Sequence, residues 1–480
     1  MRTSAILRYI GFIFLFNASF LIISALISVY HNDAGVLPLL YTTLICLIFG
    51  IFPLVFVPAV YDLNDKEGYV IVVFSWILSC LIGMLPYLLY GGEFNFINAW
   101  FESVSGYTTT GSSILSNIEA LPKGLLFWRS STHWLGGIGI VIFALVIIPA
   151  IGNIKLTLYK SEMSSLASGN FQFRAKTALR IVVYVYLGLT LAETLILWGL
   201  GMDLFDSVCH SFATIATGGF STKNLSIAYF NSVPIEITIQ FFMVLSGMHF
   251  GILFLAFTGR QINVFRYSVV RYYLLGLIIA KLLVAINIHG LHFKEWGDSF
   301  RYASFAVTAL STTTGFANCN TSTWPYFSIF ILIFLMLQTA MAGSTAGGIK
   351  VDRIVIFFKS FQRQLNLLLH PNAIIPVKID KIQISDSQIE KVVIFIIVYL
   401  LIVFVSGLAL TAMNLDAMTS FTASITCLGN IGWGFGNIGS VHNFSAFPDA
   451  GKLLLTLNML LGRLEIFGLI LLFLLKFWKE

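Results

Sequence analysis

The chain has 480 residues, 58% of them hydrophobic and only 10% charged, with a formal net charge of +6 and a mean hydropathy of +0.88. A soluble domain carries roughly 25% charged residues, so this composition excludes an ordinary soluble enzyme and points to a polytopic membrane protein. The excess positive charge is spread over alternate connections between apolar runs, which argues for a topology signal and against nucleic-acid binding.

The first apolar run, MRTSAILRYIGFIFLF, has the basic start of a secretory leader. It continues to about Val29 without an A-x-A-like cleavage site and is read as a retained span. Candidate spans of roughly 20 residues follow in order near 8–30, 36–60, 69–90, 133–151, 179–200, 234–257, 269–288, 325–368 (interrupted), 390–412 and 452–475. Arg2 and Arg8 precede or open the first of these. Further basic residues fall in alternate connections: Lys155, Lys160, Arg174, Lys176 and Arg180; Arg260, Arg266 and Arg271; then Lys350, Arg353, Lys359, Arg363, Lys378, Lys381 and Lys391; and at the end Lys476 and Lys479. The positive-inside rule then places both termini and every second connection in the cytoplasm. Cys46, Cys80, Cys209, Cys319 and Cys427 are scattered without metal or disulfide spacing and are read as packing residues.

The connections on the other side are rich in Gly, Thr, Asn and aromatics. After the third, fifth, seventh and ninth spans comes a semi-apolar stretch of about 12 to 14 residues, too short to cross a bilayer. Each begins near a residue able to cap a helix, at Asn98, at Asp203 or Asp206, at Asp298 and at Asp416. A helix of 12 residues is about 18 Å long, enough to dip halfway into a bilayer. Each dip ends in a Thr/Gly cluster: SGYTTTGSS (105–113), TIATGGFST (214–222), LSTTTGFAN (310–318) and LGNIGWGFG (428–436). Aligned on one glycine, they bring Gly111, Gly219, Gly315 and Gly432 into register, the mark of a fourfold internal repeat.

Non-helical backbone survives at membrane depth only where it is buried in protein or lines a watery cavity. Four re-entrant segments around one axis meet that condition together. Glycine permits positive φ, so carbonyls can form oxygen rings that replace an ion's hydration shell. Half-helix C-termini aimed at the centre favour a cation. The plainer alternative is a set of Gly/Thr-rich packing loops between helices, which four copies in register make hard to sustain.

This constellation resembles the Trk/Ktr/HKT superfamily of cation transporters, and within it the Trk-type potassium-uptake membrane subunits. The resemblance covers nearly the whole chain and rests on WRSSTHWLGGIGI (128–140), HSFATIATGGFSTKN (210–224), TTTGFA (312–317), AGSTAGGIK (342–350) and LGRLEIF (461–467) together. It implies an all-α integral membrane fold: an extra N-terminal helix pair (1–65), then four helix–half-helix–filter–helix repeats at 66–152, 153–260, 261–370 and 371–480 around one pore. The implied filter strands are Thr108–Gly111, Ala216–Gly219, Thr312–Gly315 and Gly429–Gly432. The implied ion ligands are the backbone oxygens of Thr109 and Thr110, Thr217 and Gly218, Thr313 and Thr314, and Asn430 and Ile431. Glycine at all four aligned positions favours potassium, since Ser at the first accompanies sodium transport in the family. Here Trp433 stands where the family usually has Pro, and Gly429 where Asn is common, so the shape of the outer mouth is expected to differ.

Ala342, Gly343, Ser344, Thr345, Ala346, Gly347 and Gly348 interrupt the eighth span. Each Gly in a helix interior costs about 1 kcal/mol relative to Ala, so the stretch is expected to unwind; by resemblance it is an intramembrane gate under the filter, with Met341 narrowing its motion. Arg463 lies in an apolar helix, two residues from Glu465 and so on a different face. A salt bridge to another helix would explain it, and the resemblance places it beside the pore below the filter. Glu193 and Lys281 are expected to be structurally paired, Glu102 to add negative potential near the mouth, and His210 and His249 to pack or hydrogen-bond.

GFGNIG (434–439) matches a dinucleotide-binding pattern but lacks the strand–helix context that gives it meaning. No nucleotide-hydrolysing P-loop and no H-E-x-x-H pair occurs. Potassium uptake through backbone carbonyls is therefore the leading expectation, with no enzyme activity and potassium as the transported ligand. The alternatives are a sodium-conducting or sodium-coupled member of the superfamily and an integral-membrane enzyme for lipid-linked substrates. The enzyme would need clustered acids or histidines at one membrane face. An inverted-repeat carrier would show two halves of opposite topology. By resemblance, the chain is expected in the cytoplasmic (inner) membrane as a homodimer. Its expected partners are membrane lipid and a cytosolic nucleotide-binding regulatory subunit, sought at the basic loops 152–180 and 350–391.

Overall fold

The structure is a computed structural model and describes residues 2–58, 65–150, 175–257, 264–380 and 382–473. The basic loop over 151–174, with Lys155, Lys160 and Arg174, lies outside these residues, as do Arg260, Lys381, Lys476 and Lys479. The chain opens with a helical hairpin, α1 (Thr3–His31) and α2 (Val36–Phe56). Asn32 ends α1 in the left-handed region, its N–H donating to the carbonyls of Ser28 and Val29. The hairpin closes tightly because small residues let the backbones approach: a Cβ on Gly11 would lie 2.8 Å from the Gly50 carbonyl oxygen.

The same sequence of elements then appears four times. The first unit is α3 (Asp65–Gly83) with the short α4 (Leu85–Tyr90), the half-helix α5 (Phe96–Tyr107) and α6 (Lys123–Ala150). The second is α7 (Ala175–Gly199), the half-helix α8 (Leu204–Ile215), α9 (Val233–Ser246) and α10 (Phe250–Phe257). The third is α11 (Ser268–Ile288), the half-helix α12 (Trp296–Ser311), α13 (Tyr326–Leu337) and α14 (Val351–Leu369). The fourth is α15 (Asp386–Thr411), the half-helix α16 (Ala417–Gly429), α17 (Asp449–Arg463) and α18 (Phe467–Phe473). Short 3-10 turns and two pairs of two-residue strands complete the described elements: β1 (Gln338–Thr339) runs parallel to β2 (Ile349–Lys350), and β3 (Lys378–Ile379) antiparallel to β4 (Ile382–Gln383).

The units pack in order and the last meets the first. Trp134 Nε1 of α6 donates to Thr190 Oγ1 of α7 at 3.3 Å, and Gln240 Nε2 of α9 to the Ser304 carbonyl of α12 at 2.7 Å. The helices α13 and α16 are in contact. Trp100 Nε1 of α5 donates to Thr456 Oγ1 of α17 at 3.1 Å, and Lys452 Nζ to Asn98 Oδ1 at 2.8 Å, closing the circle.

Among the described residues, six helical segments are long and apolar enough to cross a membrane: Thr3–His31, Val36–Phe56, Lys66–Tyr90, Arg180–Gly199, Ser268–Ile288 and Asp386–Thr411. These are the first helices of the four units and the N-terminal pair. The expected sixth, eighth and tenth spans are each broken. The sixth bends by 110° between α9 and α10, the eighth opens between Leu337 and Val351, and the tenth breaks at Leu464–Ile466, where Glu465 and Ile466 have positive φ of 56° and 54°. The sequence marks the eighth break by its glycines; the other two are new. The cap positions also shift. Asn95, not Asn98, caps α5, its side chain accepting the Asn98 N–H, while Asn98 donates to the Glu93 carbonyl. Asp203 and Asp416 cap α8 and α16 as expected. Asp298 lies in the first turn of α12, which begins at Glu295 without a side-chain cap and reaches 16 residues.

Replacing Gly11 by Leu should force α1 from α2. The expected cost is that of overpacking, about 1–3 kcal/mol, read as a lower melting temperature of the detergent-solubilised protein; an unchanged melting curve would refute the close approach.

Candidate functional site

All four half-helices end in the same backbone device. Thr109, Thr217, Thr313 and Asn430 have φ of 53°, 56°, 58° and 53°, the left-handed region. A β-branched residue there is a conformational outlier, costing of order 1–3 kcal/mol, and such strain gathers at functional sites. Each positive-φ residue closes off the helix, and the following N–H groups turn back onto it. Thr110 N–H donates to the Ser105 carbonyl, Gly218 N–H to Ala213 and Ile431 N–H to Thr426, each at 2.8–2.9 Å; in the third unit Gly315 N–H reaches Ala309 at 3.0 Å. The closures of the first, second and fourth units span six residues, as in helices that end on glycine, and that of the third spans seven. Thr108, Ala216 and Thr312 are the C-caps immediately before the turn, and Gly429 is the last residue of α16.

Two residues beyond each turn stands the aligned glycine. Gly111, Gly219, Gly315 and Gly432 have φ of 83°, 81°, 69° and 121°. A Cβ on Gly111 would fall 2.0 Å from the Gly218 carbonyl oxygen, one on Gly219 1.9 Å from that of Thr314, and one on Gly315 1.9 Å from that of Ile431. A Cβ on Gly432 would fall 3.0 Å from the Thr110 oxygen. Each strand's glycine therefore abuts the next strand's carbonyl, and the fourth returns to the first. The structure thus brings all sixteen strand residues together in one closed ring with no carboxylate in it.

Side chains tie the strands to one another and to the scaffold. Thr108 Oγ1 and Thr110 Oγ1 are 2.8 Å apart, and Thr312 and Thr314 repeat the pair at 2.9 Å. Asn430 Nδ2 donates to Thr110 Oγ1 at 3.0 Å, and Ser112 Oγ to the Gly432 carbonyl at 2.6 Å, joining the first and fourth strands. His133 of α6 joins the first and second: its Nε2 accepts the Phe220 N–H at 3.1 Å, so Nδ1 carries the proton it gives to the Gly106 carbonyl at 2.7 Å. That arrangement requires the neutral imidazole.

Ion pairs brace the ring from outside. Arg129 Nε donates to Glu102 Oε1 at 2.6 Å with both side chains buried, and Arg129 Nη1 donates to the Ser221 carbonyl at 2.9 Å. Glu102 also accepts from Ser113 and the Ile114 N–H. The expectation that Glu102 lends free negative potential to the mouth is therefore wrong: its charge is consumed by Arg129. Asp206 pairs with Lys223 at 3.1 Å and Glu236 with Arg301 at 2.6 Å in the next units. Trp433 is buried with its ring 5.8 Å from that of Phe435. His210 bonds the Asp206 carbonyl and Ser221 Oγ, as a structural histidine should. Glu193, fully buried on α7, and Lys281, half-buried on α11, form no ion pair among the described residues, contrary to expectation.

Below the ring lies the unwound stretch of the eighth span. Ala342 N–H donates to Asp352 Oδ2 at 2.7 Å, Met341 N–H to the Gly247 carbonyl at 3.0 Å, and Phe250 N–H to the Gly343 carbonyl at 3.1 Å. The break in the sixth span thus supplies partners for the break in the eighth. Ser344 Oγ turns back to the Met341 carbonyl, and Ala346 N–H to Ser344 Oγ. Thr345 Oγ1 donates to the Ile215 carbonyl at 3.0 Å, and Gly347 N–H to Thr313 Oγ1 at 3.2 Å, so the loop hangs from the last residue of α8 and from the third strand. A Cβ on Gly347 would lie 2.5 Å from the Gly429 carbonyl oxygen, and one on Gly348 2.5 Å from Thr339 Cγ2.

Arg463 is buried and donates from Nη1 to the Thr345 carbonyl at 2.7 Å and from Nη2 to the Gly136 carbonyl at 2.9 Å. It anchors the loop's centre to α6. Glu465, in the tenth-span break, pairs with Lys350 at 3.5 Å and with Arg353, holding the loop's C-terminal end. Arg129, His133 and Gly136 all sit in the quoted WRSSTHWLGGIGI stretch, but nothing in their spacing shows that they reach across to the second strand and to Arg463.

The comparisons with known proteins agree with this geometry. Residues 41–479 match the TrkH family model, described as a cation transport protein. The chain is 34% identical to the Trk system potassium uptake protein TrkH of Escherichia coli strain K12, over the whole of both chains. It is 30% identical to TrkI of Halomonas elongata over 87% of this chain and 85% of that protein. The crystal structure of the potassium transporter TrkH from Vibrio parahaemolyticus superposes with a TM-score of 0.89 over the whole of both chains, at 31% identity. A family match over most of the chain, full-length relatives above 30% identity and a shared fold place this integral membrane protein in the TrkH family of cation transport proteins.

Proposed function

We propose that this chain takes up potassium across the cytoplasmic membrane, the ion passing through the ring where the four strands meet. The observation that carries the reading is the closed circuit of glycines and carbonyls from Gly111 to Gly432. Backbone oxygens of Thr109, Thr110, Thr217, Gly218, Thr313, Thr314, Asn430 and Ile431 would take the place of the hydration shell, a role for which uncharged carbonyl dipoles at the ends of four half-helices are suited. The relatives named as potassium uptake proteins support potassium as the ion. The membrane potential would drive it inward with about 2.3 kcal/mol per charge per 100 mV.

On the same reading, 66–152, 153–260, 261–370 and 371–480 are four pore repeats after an accessory pair at 1–65, and both termini are cytoplasmic. The loop Ala342–Gly348 is the gate, and Arg463 both fixes it and sets a positive charge beside the pathway. The chain would work as a homodimer with a cytosolic nucleotide-binding regulatory subunit, the name Trk system in its relatives being consistent with a multicomponent assembly. The described basic surface available for that contact is α14 and the β3–β4 hairpin, with Lys359, Arg363 and Lys378.

Uptake in a potassium-transport-deficient cell tests the reading. The chain should restore growth in low potassium, and Gly111→Ser should lower the preference for potassium over sodium by about tenfold or more, a shift of roughly 1.4 kcal/mol or more. The substitution places a Cβ against the Gly218 carbonyl at a positive φ, so the first and second strands must part. An unchanged preference in a well-expressed variant would remove Gly111 from the filter.

Arg463→Met tests the gate. It strips the Thr345 and Gly136 carbonyls of a charge-assisted donor worth about 1.5–3 kcal/mol, so basal rubidium flux in proteoliposomes should rise by about tenfold or more. Arg463→Lys, keeping one donor, should fall between. A flux equal to wild type in both would show that the arginine does not hold the loop shut.

A further inference from the structure

A cavity of about 460 Å³ lies between α1, α3 and α6 and reaches Tyr107 at the end of α5. Its size falls within the ~300–1,000 Å³ of ligand pockets and is about three times the ~150 Å³ of an apolar cavity that stays dry and binds benzene. Phe12 and Phe16 stand at its rim, 52% and 42% exposed on the outer face of a membrane-crossing helix. Ile13, Ile71 and Leu135 form its walls. The rim therefore opens where the hydrocarbon of the bilayer lies against α1.

Most polar side chains of the wall are engaged with one another, while Trp76 Nε1 is a single buried donor with no partner among the described residues. Tyr107 OH donates to Asn17 Oδ1 at 2.6 Å, Asn17 Nδ2 donates to the Ile13 carbonyl at 3.0 Å and to Ser79 Oγ at 3.4 Å, and Ser75 Oγ donates to the Ile71 carbonyl. A water held here needs two to four polar partners; Asn17, Ser75, Ser79 and Tyr107 are bonded within the protein, and Trp76 Nε1 alone supplies one donor, short of that number. The inner wall is Trp76, Tyr107 and Gly136. Trp76 lies with its ring 5.7 Å from the Arg463 guanidinium, Gly136 accepts from Arg463, and Tyr107 is the last residue before the first strand. The cavity thus backs directly onto the anchor of the intramembrane loop.

We propose that this cavity is a lateral lipid site, filled by one acyl chain of a bilayer phospholipid that enters past Phe12 and Phe16 and lies against Trp76 and Tyr107. A dry, apolar, membrane-facing opening selects hydrocarbon over water or a polar solute. The occupant is a single chain because the rim lies between helices that cross the membrane, while the headgroup remains at the bilayer surface.

Full-length protein reconstituted in phosphatidylethanolamine–phosphatidylglycerol vesicles carrying a diazirine on the phospholipid acyl chain tests this. Photolysis should cross-link the inner wall, in peptides covering 71–79 and 135–139. Ser75→Phe and Ile13→Trp, which fill the space from two sides, should each lower that labelling by about tenfold relative to the lipid-facing Leu400 and Leu401 of α15. Monodisperse elution and a wild-type melting temperature identify the folded variant to be scored. Inner-wall labelling that persists at the wild-type level in a folded filled variant would overturn the proposal. So would wild-type labelling confined to the rim and the lipid-facing helices.

Discussion

The constraint on which this molecule turns is that peptide groups leaving a helix inside a membrane must find partners within the protein. Four half-helices end around one ring, and each ends at a left-handed residue, threonine in three and Asn430 in the fourth. None of the four strand segments could be buried alone. Each presents a carbonyl that fits only because the neighbouring strand has no Cβ, at Gly111, Gly219, Gly315 and Gly432. The ring is consequently an all-or-nothing assembly. The ion pairs Arg129–Glu102, Lys223–Asp206 and Arg301–Glu236 restrain the chain segments around it without placing any net charge in it.

The same constraint shapes what lies below. Once the eighth span unwinds, its amides and carbonyls need partners too, and the chain supplies them from other breaks. Gly247, at the bend of the sixth span, accepts the Met341 N–H; Gly343 accepts from Phe250; and Glu465, at the break in the tenth, holds Lys350 and Arg353. In the first unit α6 runs unbroken from Lys123 to Ala150 and contributes the carbonyl of Gly136 as a fixed point for Arg463. Two further interrupted spans and one continuous helix therefore converge on the loop that interrupts the eighth. Removing any one of these anchors would leave buried polar groups of the segment unpaired.

Much of this was legible in the sequence, for a definite reason. A repeated requirement for positive φ and for absent side chains writes itself as Thr/Gly clusters at matching places, and all four aligned glycines sit where that pattern puts them. The eighth-span break was legible because three glycines within six residues defeat a helix. The other two breaks were not. SGMH (246–249) contains one glycine, and in RLE (463–465) a left-handed Glu465 is stabilised by Lys350 and Arg353, more than a hundred residues away in the chain. The cap at Asn95 was misplaced to Asn98 because two asparagines three residues apart are equally good caps until the helix start is known. Glu102 was misread for a related reason: its partner lies on another helix, and no helical spacing connects residues 102 and 129.

The fourfold pattern is also unequal in a way that bears on how it works. In three contacts a glycine presses against a carbonyl so closely that no side chain could enter, at 1.9–2.0 Å for an added Cβ. At Gly432 the distance is 3.0 Å and φ reaches 121°. There the turn residue is Asn430 instead of threonine, and its side-chain amide spans from Thr110 Oγ1 to the Met459 carbonyl. The looser joint is thus bridged by a side chain that belongs to the strand and to α17 at once. The same helix ends in Arg463, which holds the loop at Thr345, and the loop's Gly347 sits against the Gly429 carbonyl. Movement of α17 would reach the ring through Asn430 and the loop through Arg463. One helix thus carries both attachments, to the ring through the Met459 carbonyl that Asn430 holds and to the loop through Arg463.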